Sequence, residues 1–324
     1  MLYRSFKDNT FVGLLLVPII ILLLWGNALL ANGETAGHEV FMPFYEFLVS
    51  LIGNHPLTGK FLTLFIAFVI HFGVNRFNAR FSLISGHTLI PGISFLIFVS
   101  GYSQVQNIQP VWIFLPFLLL ALGILFYSSS KKEHSSTIFN ASFLVSLGAV
   151  FYSKGLFFMP FMWWAMILLN IFSLRYWLAS MLGMILPFIF LASGYYLGGS
   201  FDLLFSNFIE TFISPVAFYE HNMFTNLYNA LLLVILFGGV LIAIQRLNSI
   251  KIITRKYYRV IIMLVIYSIG LMITPFFSME LIPVVGIGAA FLITILFENV
   301  KKTNTREILF FLFLLITIVS GWLI

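Results

Sequence analysis

Residues 10–56, TFVGLLLVPIIILLLWGNALLANGETAGHEVFMPFYEFLVSLIGNHP, decide the fold. Thr10 to Leu30 contains no ionisable side chain, and about 20 such residues in a helix cross the hydrocarbon core of a bilayer. Arg4 and Lys7 precede this run, and no short apolar segment ends at a small-residue cleavage site, so the run reads as a retained first helix. From Ala31 to Pro56 the chemistry changes: Glu34, His38, Glu39, Glu46 and His55 arrive in one segment. The only comparable polar stretch, Ser200 to Asn222, lies far downstream.

The composition carries this reading to the whole chain. Of 324 residues, 61% are hydrophobic and 9% charged, against roughly 25% charged in a soluble domain. Mean hydropathy is +1.06. The expectation is an all-α, polytopic transmembrane bundle forming one domain over residues 1–324. The net charge of +6 does not point to nucleic acid, because the basic residues sit in short clusters between apolar spans and form no continuous basic face. The chain has no cysteine, which excludes thiol nucleophiles, disulfides and thiolate metal sites.

Measured against a 20-residue crossing, about eleven spans are expected, near 10–30, 58–75, 87–103, 110–127, 137–153, 156–173, 176–198, 225–244, 257–275, 280–297 and 306–324. With the N-terminus in the cytoplasm, basic residues can be sorted by side. Arg4, Lys7, Arg76, Arg80, Lys131, Lys132, Arg175, Arg246, Lys251, Arg255, Lys256, Arg259, Lys301, Lys302 and Arg306 then fall inside. Of the 17 lysines and arginines only Lys60 and Lys154 fall outside, as the positive-inside rule requires. Most of the acids, Glu34, Glu39, Glu46, Asp202, Glu210, Glu220 and Glu280, collect outside. On this count the expected topology has the N-terminus in the cytoplasm and the C-terminus on the outer side.

Two outer segments, 31–57 and 199–224, are expected to carry short amphipathic helices lying in the interface. In the first, Phe44, Tyr45, Phe47, Leu48, Leu51 and Ile52 surround Glu46 and Ser50, with Pro43 at the start. In the second, Phe201, Leu204, Phe205, Phe208 and Phe212 form a stripe opposite Asp202, Ser206 and Glu210. Trp25, Trp112, Trp177 and Trp322 read as aromatic anchors at span ends. Pro18, Pro91, Pro116 and Pro187 read as kinks within spans.

Candidate chemistry concentrates in the outer segments. Glu34, Glu39 and Glu46 are candidate catalytic carboxylates, since paired carboxylates, or a carboxylate and a histidine, can divide acid and base roles. Asp202, Glu210, Glu220 and His221 are candidate binding residues of the second segment; solvated loop charges are the simpler explanation of all of these residues. Arg76, Arg80 and Arg175 at inner turns could contact phosphate or headgroups. No His-Glu-x-x-His spacing, nucleophile elbow or phosphate-binding glycine loop occurs, so no metal site and no cofactor is expected. His71 and His87 read as packing histidines, and Gly238–Gly239, Gly286 and Gly288 as sites of close helix approach.

Several stretches carry a resemblance: Asn75-Arg76-Phe77-Asn78, His87-Thr88-Leu89-Ile90-Pro91, Phe139-Asn140-Ala141-Ser142-Phe143-Leu144 leading to Phe151-Tyr152, and Leu174-Arg175-Tyr176-Trp177 followed by Leu182-Gly183 and Pro187. Over about the first 200 residues the chain resembles an uncharacterised family of polytopic inner-membrane proteins of Bacteroidetes-type bacteria. Where that family's pattern has an acid between arginine and tryptophan, this chain has Tyr176. The resemblance implies an inner-membrane location. In architecture alone, the chain is similar to membrane glycosyltransferases that use polyprenyl-phosphate sugars.

Two functional readings stand at this point. In the first, the chain is a non-catalytic subunit that anchors or assembles a cell-envelope complex, its partners being membrane lipids and other envelope membrane proteins. In the second, it is an enzyme or flippase for a lipid-linked precursor, with Glu34, Glu39 or Glu46 as base.

Overall fold

The computed structural model describes residues 2–8, 10–30, 41–52, 56–86, 88–130, 135–214 and 223–323. Among them are fourteen α-helices and no strand. In chain order these are α1 (Leu2–Asp8), α2 (Thr10–Leu30), α3 (Pro43–Ile52), α4 (Pro56–Phe81), α5 (Ile90–Val99), α6 (Pro110–Ser130) and α7 (Ser135–Ala149). There follow α8 (Phe158–Leu169), α9 (Leu174–Leu197), α10 (Phe201–Ile213), α11 (Met223–Arg246), α12 (Ile252–Met272), α13 (Ile282–Asn299) and α14 (Thr303–Leu323).

A helix stands at each of the eleven expected span positions, but among the described residues seven are long and apolar enough to cross a membrane: α2, α4, α6, α9, α11, α13 and α14. The others fall short for identifiable reasons. Helix α12 carries Arg255, Lys256 and Arg259, while α5, α7 and α8 are 10, 15 and 12 residues long. With its seven apolar helices, the chain is a membrane protein. Proline sets several of the starts. Pro43, Pro56 and Pro110 are first residues of their helices, and Pro91 and Pro283 sit at the first turn of α5 and α13, where a missing N–H costs nothing. Pro91 therefore opens a short helix, whereas the sequence suggested a kink within a longer one; Pro18, Pro116 and Pro187 do lie inside helices.

The centre of the bundle is α5 packed on α13. All ten residues of α5 are buried, and so is α13 from Ile282 through Ile295. A helix apolar on every side has to be covered on every side, and α4, α6, α11, α12 and α14 supply the cover. Close approach depends on glycine: a Cβ at Gly286 would stand 2.8 Å from Val99 and 3.1 Å from Phe95. One apolar core runs through the bundle from Tyr3 to Leu314.

Contacts sort the helix termini into two ends. At one, Arg246 pairs with Glu298 at 3.2 Å, Ser85 reaches the same carboxylate, Leu89 N–H donates to Phe6 O, and Lys256 Nζ donates to Leu169 O. Glu307 there accepts from the N–H groups of Tyr3 and Arg4, which the first turn of α1 leaves free. This is the basic end. At the opposite, acidic end, Trp25 Nε1 donates to Ser100 Oγ at 2.9 Å, Trp112 Nε1 to Val105 O, Tyr45 to Ile108 O, and Lys60 Nζ to Ala28 O. Residues assigned to one side by charge counting therefore meet one another in space. Trp25 and Trp112 are fully buried and lie edge to face at 6.4 Å, pinning the 100–109 loop into the bundle; they are core residues and not interfacial anchors. Trp322 keeps an exposed position.

Candidate functional site at the acidic end

Helix α9 outlasts its neighbour. Ser142 and Ser180 are hydrogen-bonded at 2.6 Å, Ser146 reaches Met184 O, and Gly183 lies against the backbone of Phe139, so α7 and α9 run side by side from a common start. Helix α7 ends at Ala149, level with about residue 188, and α9 continues to Leu197, some 13 Å farther at 1.5 Å per residue. That projection would stand bare were it not for α10 and α3.

Helix α10 folds back along the projection as the second arm of a hairpin. The turn closes with Ser200 N–H donating to Tyr195 O at 3.0 Å, and Gly199 takes φ +70°, a value that glycine reaches without strain. Farther in, Leu204 joins Leu191, Val150 and Met42 in a small apolar cluster, and Phe208 meets Phe188 edge to face at 5.6 Å. The stripe expected on α10 is thus divided: Leu204, Phe208 and Phe212 face inward, while Phe201 and Phe205 remain exposed beside Leu203 and Ile209. Helix α3 closes the other side. Its Phe44 packs on Phe151, and Asn207 Nδ2 of α10 reaches Phe41 O at 3.5 Å. The two outer segments, separated by about 150 residues of chain, become neighbours.

Between them lies a groove of about 240 Å³ lined by Phe44, Phe190, Leu191, Gly194, Tyr195 and Ser200. Glu46 lies in the first turn of α3, where a carboxylate is favoured by the helix dipole. It accepts weakly from Phe41 N–H at 3.4 Å and is exposed. Asp202, in the first turn of α10, and Glu210 are exposed as well.

A second polar constellation lies where the α7–α8 turn meets the α12–α13 turn. Lys154, almost fully buried, donates to Phe276 O at 2.7 Å, stands 3.8 Å from Glu280 and lies over the Phe277 ring. Tyr152 donates to the same Glu280 oxygen at 2.9 Å, and Ser153 is hydrogen-bonded to Thr211 of α10 at 3.0 Å. In the sequence Lys154 and Glu280 figure only in the charge count, Tyr152 only in the resemblance, and Ser153 and Thr211 carry no signal. The available signal was that Lys154 broke the charge rule, as did Lys60: a cation on the wrong side is one the fold has taken inside.

Of the candidate residues, Glu46, Asp202 and Glu210 stand at this end. Glu34, Glu39, Glu220, His221, His38 and His55 lie outside the described residues, as does His87. Arg76, Arg80 and Arg175 are exposed at the basic end, with Arg80 over the Tyr127 ring at 4.8 Å. Among the described residues these arginines are not brought to the carboxylates Glu46, Asp202 and Glu210: α4 alone spans 26 residues, about 39 Å. His71 is buried against Asn75 at 3.3 Å, and Asn75 Oδ1 accepts from Gly92 N–H at 2.8 Å, which is a packing arrangement. Among the described residues no three His, Asp or Glu side chains gather in a metal-binding group. No protein-family model, curated protein or solved structure matches the chain.

Proposed function

We propose that the chain is a multi-pass protein of the bacterial inner membrane, with its basic end cytoplasmic and its acidic end periplasmic, serving as a non-catalytic anchoring or assembly subunit of a cell-envelope complex. The observation that carries this reading is how the acidic end uses its charges. Its two cations are both buried and engaged in joining elements of the bundle, Lys60 through Ala28 O and Lys154 through Phe276 O and Glu280. Its described carboxylates outside that pair stand singly on α3 and α10. What this end presents outward is a rim of apolar side chains, Phe47, Leu51, Leu203, Phe205 and Ile209, the kind of surface that a membrane partner covers. The resemblance to polytopic inner-membrane proteins supports the location.

The alternative is an enzyme or flippase for a polyprenyl-linked precursor. The groove against α9 favours it, but among the described residues a phosphate at this end would meet no exposed lysine or arginine, because Lys60 and Lys154 are both buried. Gentle purification from native membranes followed by mass spectrometry of the retained proteins tests the choice. Stoichiometric membrane-protein partners are expected. A solitary protein carrying a polyprenyl-linked lipid would overturn the subunit reading.

A further inference from the structure

Helix α12 stands at an expected span position and has the length to cross a membrane, but its charges keep it from being apolar throughout. Those charges are not scattered. Lys251 at the N-cap, Arg255 and Arg259 follow at intervals of four, and the Arg255 N–H donates to Lys251 O at 2.9 Å, so the three stand one above another on a single face. Lys256 is turned to one side, with Nζ bonded to Leu169 O, and Tyr258 to the other, donating to Leu83 O. The face between them is open: Lys251 and Arg259 are exposed, and Arg255 is half-buried.

Among the described residues no acid balances this ridge. Helix α12 contains no aspartate or glutamate, and Glu298, the one acid of α13, is engaged by Arg246 at 3.2 Å. The Nε of Arg255 is buried with no hydrogen-bond acceptor, and a guanidinium keeps both its charge and its donors. Like charges four apart repel along a helix, and these stand at the end of α12 where the helix dipole is itself positive. The Lys251 side chain does not cap that end. So one-sided an arrangement fits an anion from outside the chain.

Farther along α12, toward the acidic end, the same face turns apolar. Ile262 and Met263 are half-buried, and Ile266 and Ile273 are exposed. The helix packs mainly on α13 and α8, which lie off this face. Arg259 stands about 12 Å along the axis from Lys251 at 1.5 Å per residue. Because side chains lean toward the N-terminus of their helix, its guanidinium is carried back toward the water boundary, as long basic side chains are in an interface. A ligand on this face therefore meets cations at one end and hydrocarbon at the other.

We infer that the ridge of Lys251, Arg255 and Arg259 binds the phosphate of an anionic phospholipid in the leaflet at the basic end, with an acyl chain lying along Ile262 and Ile266. A zwitterionic lipid brings its own cation to the ridge and is disfavoured. The site rests on the basic end meeting a membrane boundary and not on the subunit reading, since a protein with or without partners would hold this lipid.

The full-length protein in mild detergent is titrated with phosphatidylglycerol, and bound lipid is counted by native mass spectrometry. The expected result is a phosphatidylglycerol held at concentrations where phosphatidylcholine with the same chains is not. Arg255→Gln combined with Arg259→Gln raises the half-saturating concentration about thirtyfold, the effect of two cations contributing about 1 kcal/mol each. Lys301→Gln combined with Lys302→Gln, an equal loss of charge from the exposed segment before α14, leaves that lipid in place. Melting curves in phosphatidylcholine check that each variant is folded. Lys251→Gln, which lies outside the helix body and is expected to weaken binding about fivefold, carries the test if the arginine double variant misfolds. Glycerol phosphate, the same phosphate without chains, does not displace the lipid at equal concentration. Four results would overturn the site: equal weakening by the two double variants, no preference over phosphatidylcholine, displacement by glycerol phosphate, or arginine variants that keep the lipid and instead lose a copurifying protein.

Discussion

The two ends of the bundle handle positive charge in opposite ways. At the acidic end both cations are buried, and each spans a gap between elements: Lys60 ties α4 to α2, and Lys154 ties the α7–α8 turn to the α12–α13 turn. At the basic end none of the described lysines and arginines is buried, and even the paired Arg246 keeps a third of its side chain exposed. The contrast teaches that sign alone does not tell what a charge does in a membrane protein. A cation on the side that disfavours it survives by being buried in the fold, whereas a cation on the favoured side stays in contact with water and headgroups even where it also pairs, as Arg246 does.

The largest effect is expected where the acidic end is tied down internally. Trp25→Ala removes a buried indole that holds Ser100 and packs on Trp112, and it should cost about 4 kcal/mol, read as a large fall in the apparent melting temperature in detergent. Next comes Lys154→Met, at about 3 kcal/mol, because it removes the cation beside Glu280, a largely buried carboxylate. Adding Glu280→Gln to it should recover part of that loss. A double variant no better than the single one would break the argument that Lys154 serves the fold by pairing.

The corresponding change at the basic end is Arg246→Gln. Its pair with Glu298 is shorter, at 3.2 Å, yet a third of the arginine side chain is in solvent, so screening limits the cost to about 1 kcal/mol. Should Arg246→Gln prove as costly as Lys154→Met, the contrast between the ends would fail. The smallest effect is expected from Asp202→Asn on exposed α10: within about 0.5 kcal/mol, a surface substitution's usual range.

The pattern of apolar runs and basic clusters made the two ends legible, because desolvation and headgroup attraction act on each residue locally. The eleven helix positions were legible on the same ground, since a helix satisfies its own backbone wherever water is scarce. What could not be read depends on partners far apart in the chain. Pro91 looks the same whether it kinks a long helix or begins a short one; the difference is made by α13 and α4, which pack on α5 from elsewhere in the chain. Trp25 and Trp112 resemble interfacial anchors until the 100–109 loop folds back onto both and takes their indole N–H groups. Likewise, Lys154 and Glu280 are separated by more than a hundred residues, and nothing local announces their meeting. The groove depends on a difference in length between α7 and α9, visible only once Ser142 and Ser180 fix the two helices side by side.

The claim on which the rest depends is that the two ends face opposite sides of a membrane. The chain contains no cysteine, so single cysteines report position without competing labels. Asp202→Cys and Lys251→Cys, both at exposed positions, are treated with a membrane-impermeant maleimide on intact spheroplasts and again after permeabilisation. The account predicts that position 202 reacts in intact spheroplasts, and position 251 only once the membrane is opened. Reaction of both from outside, or the reverse order, would contradict it.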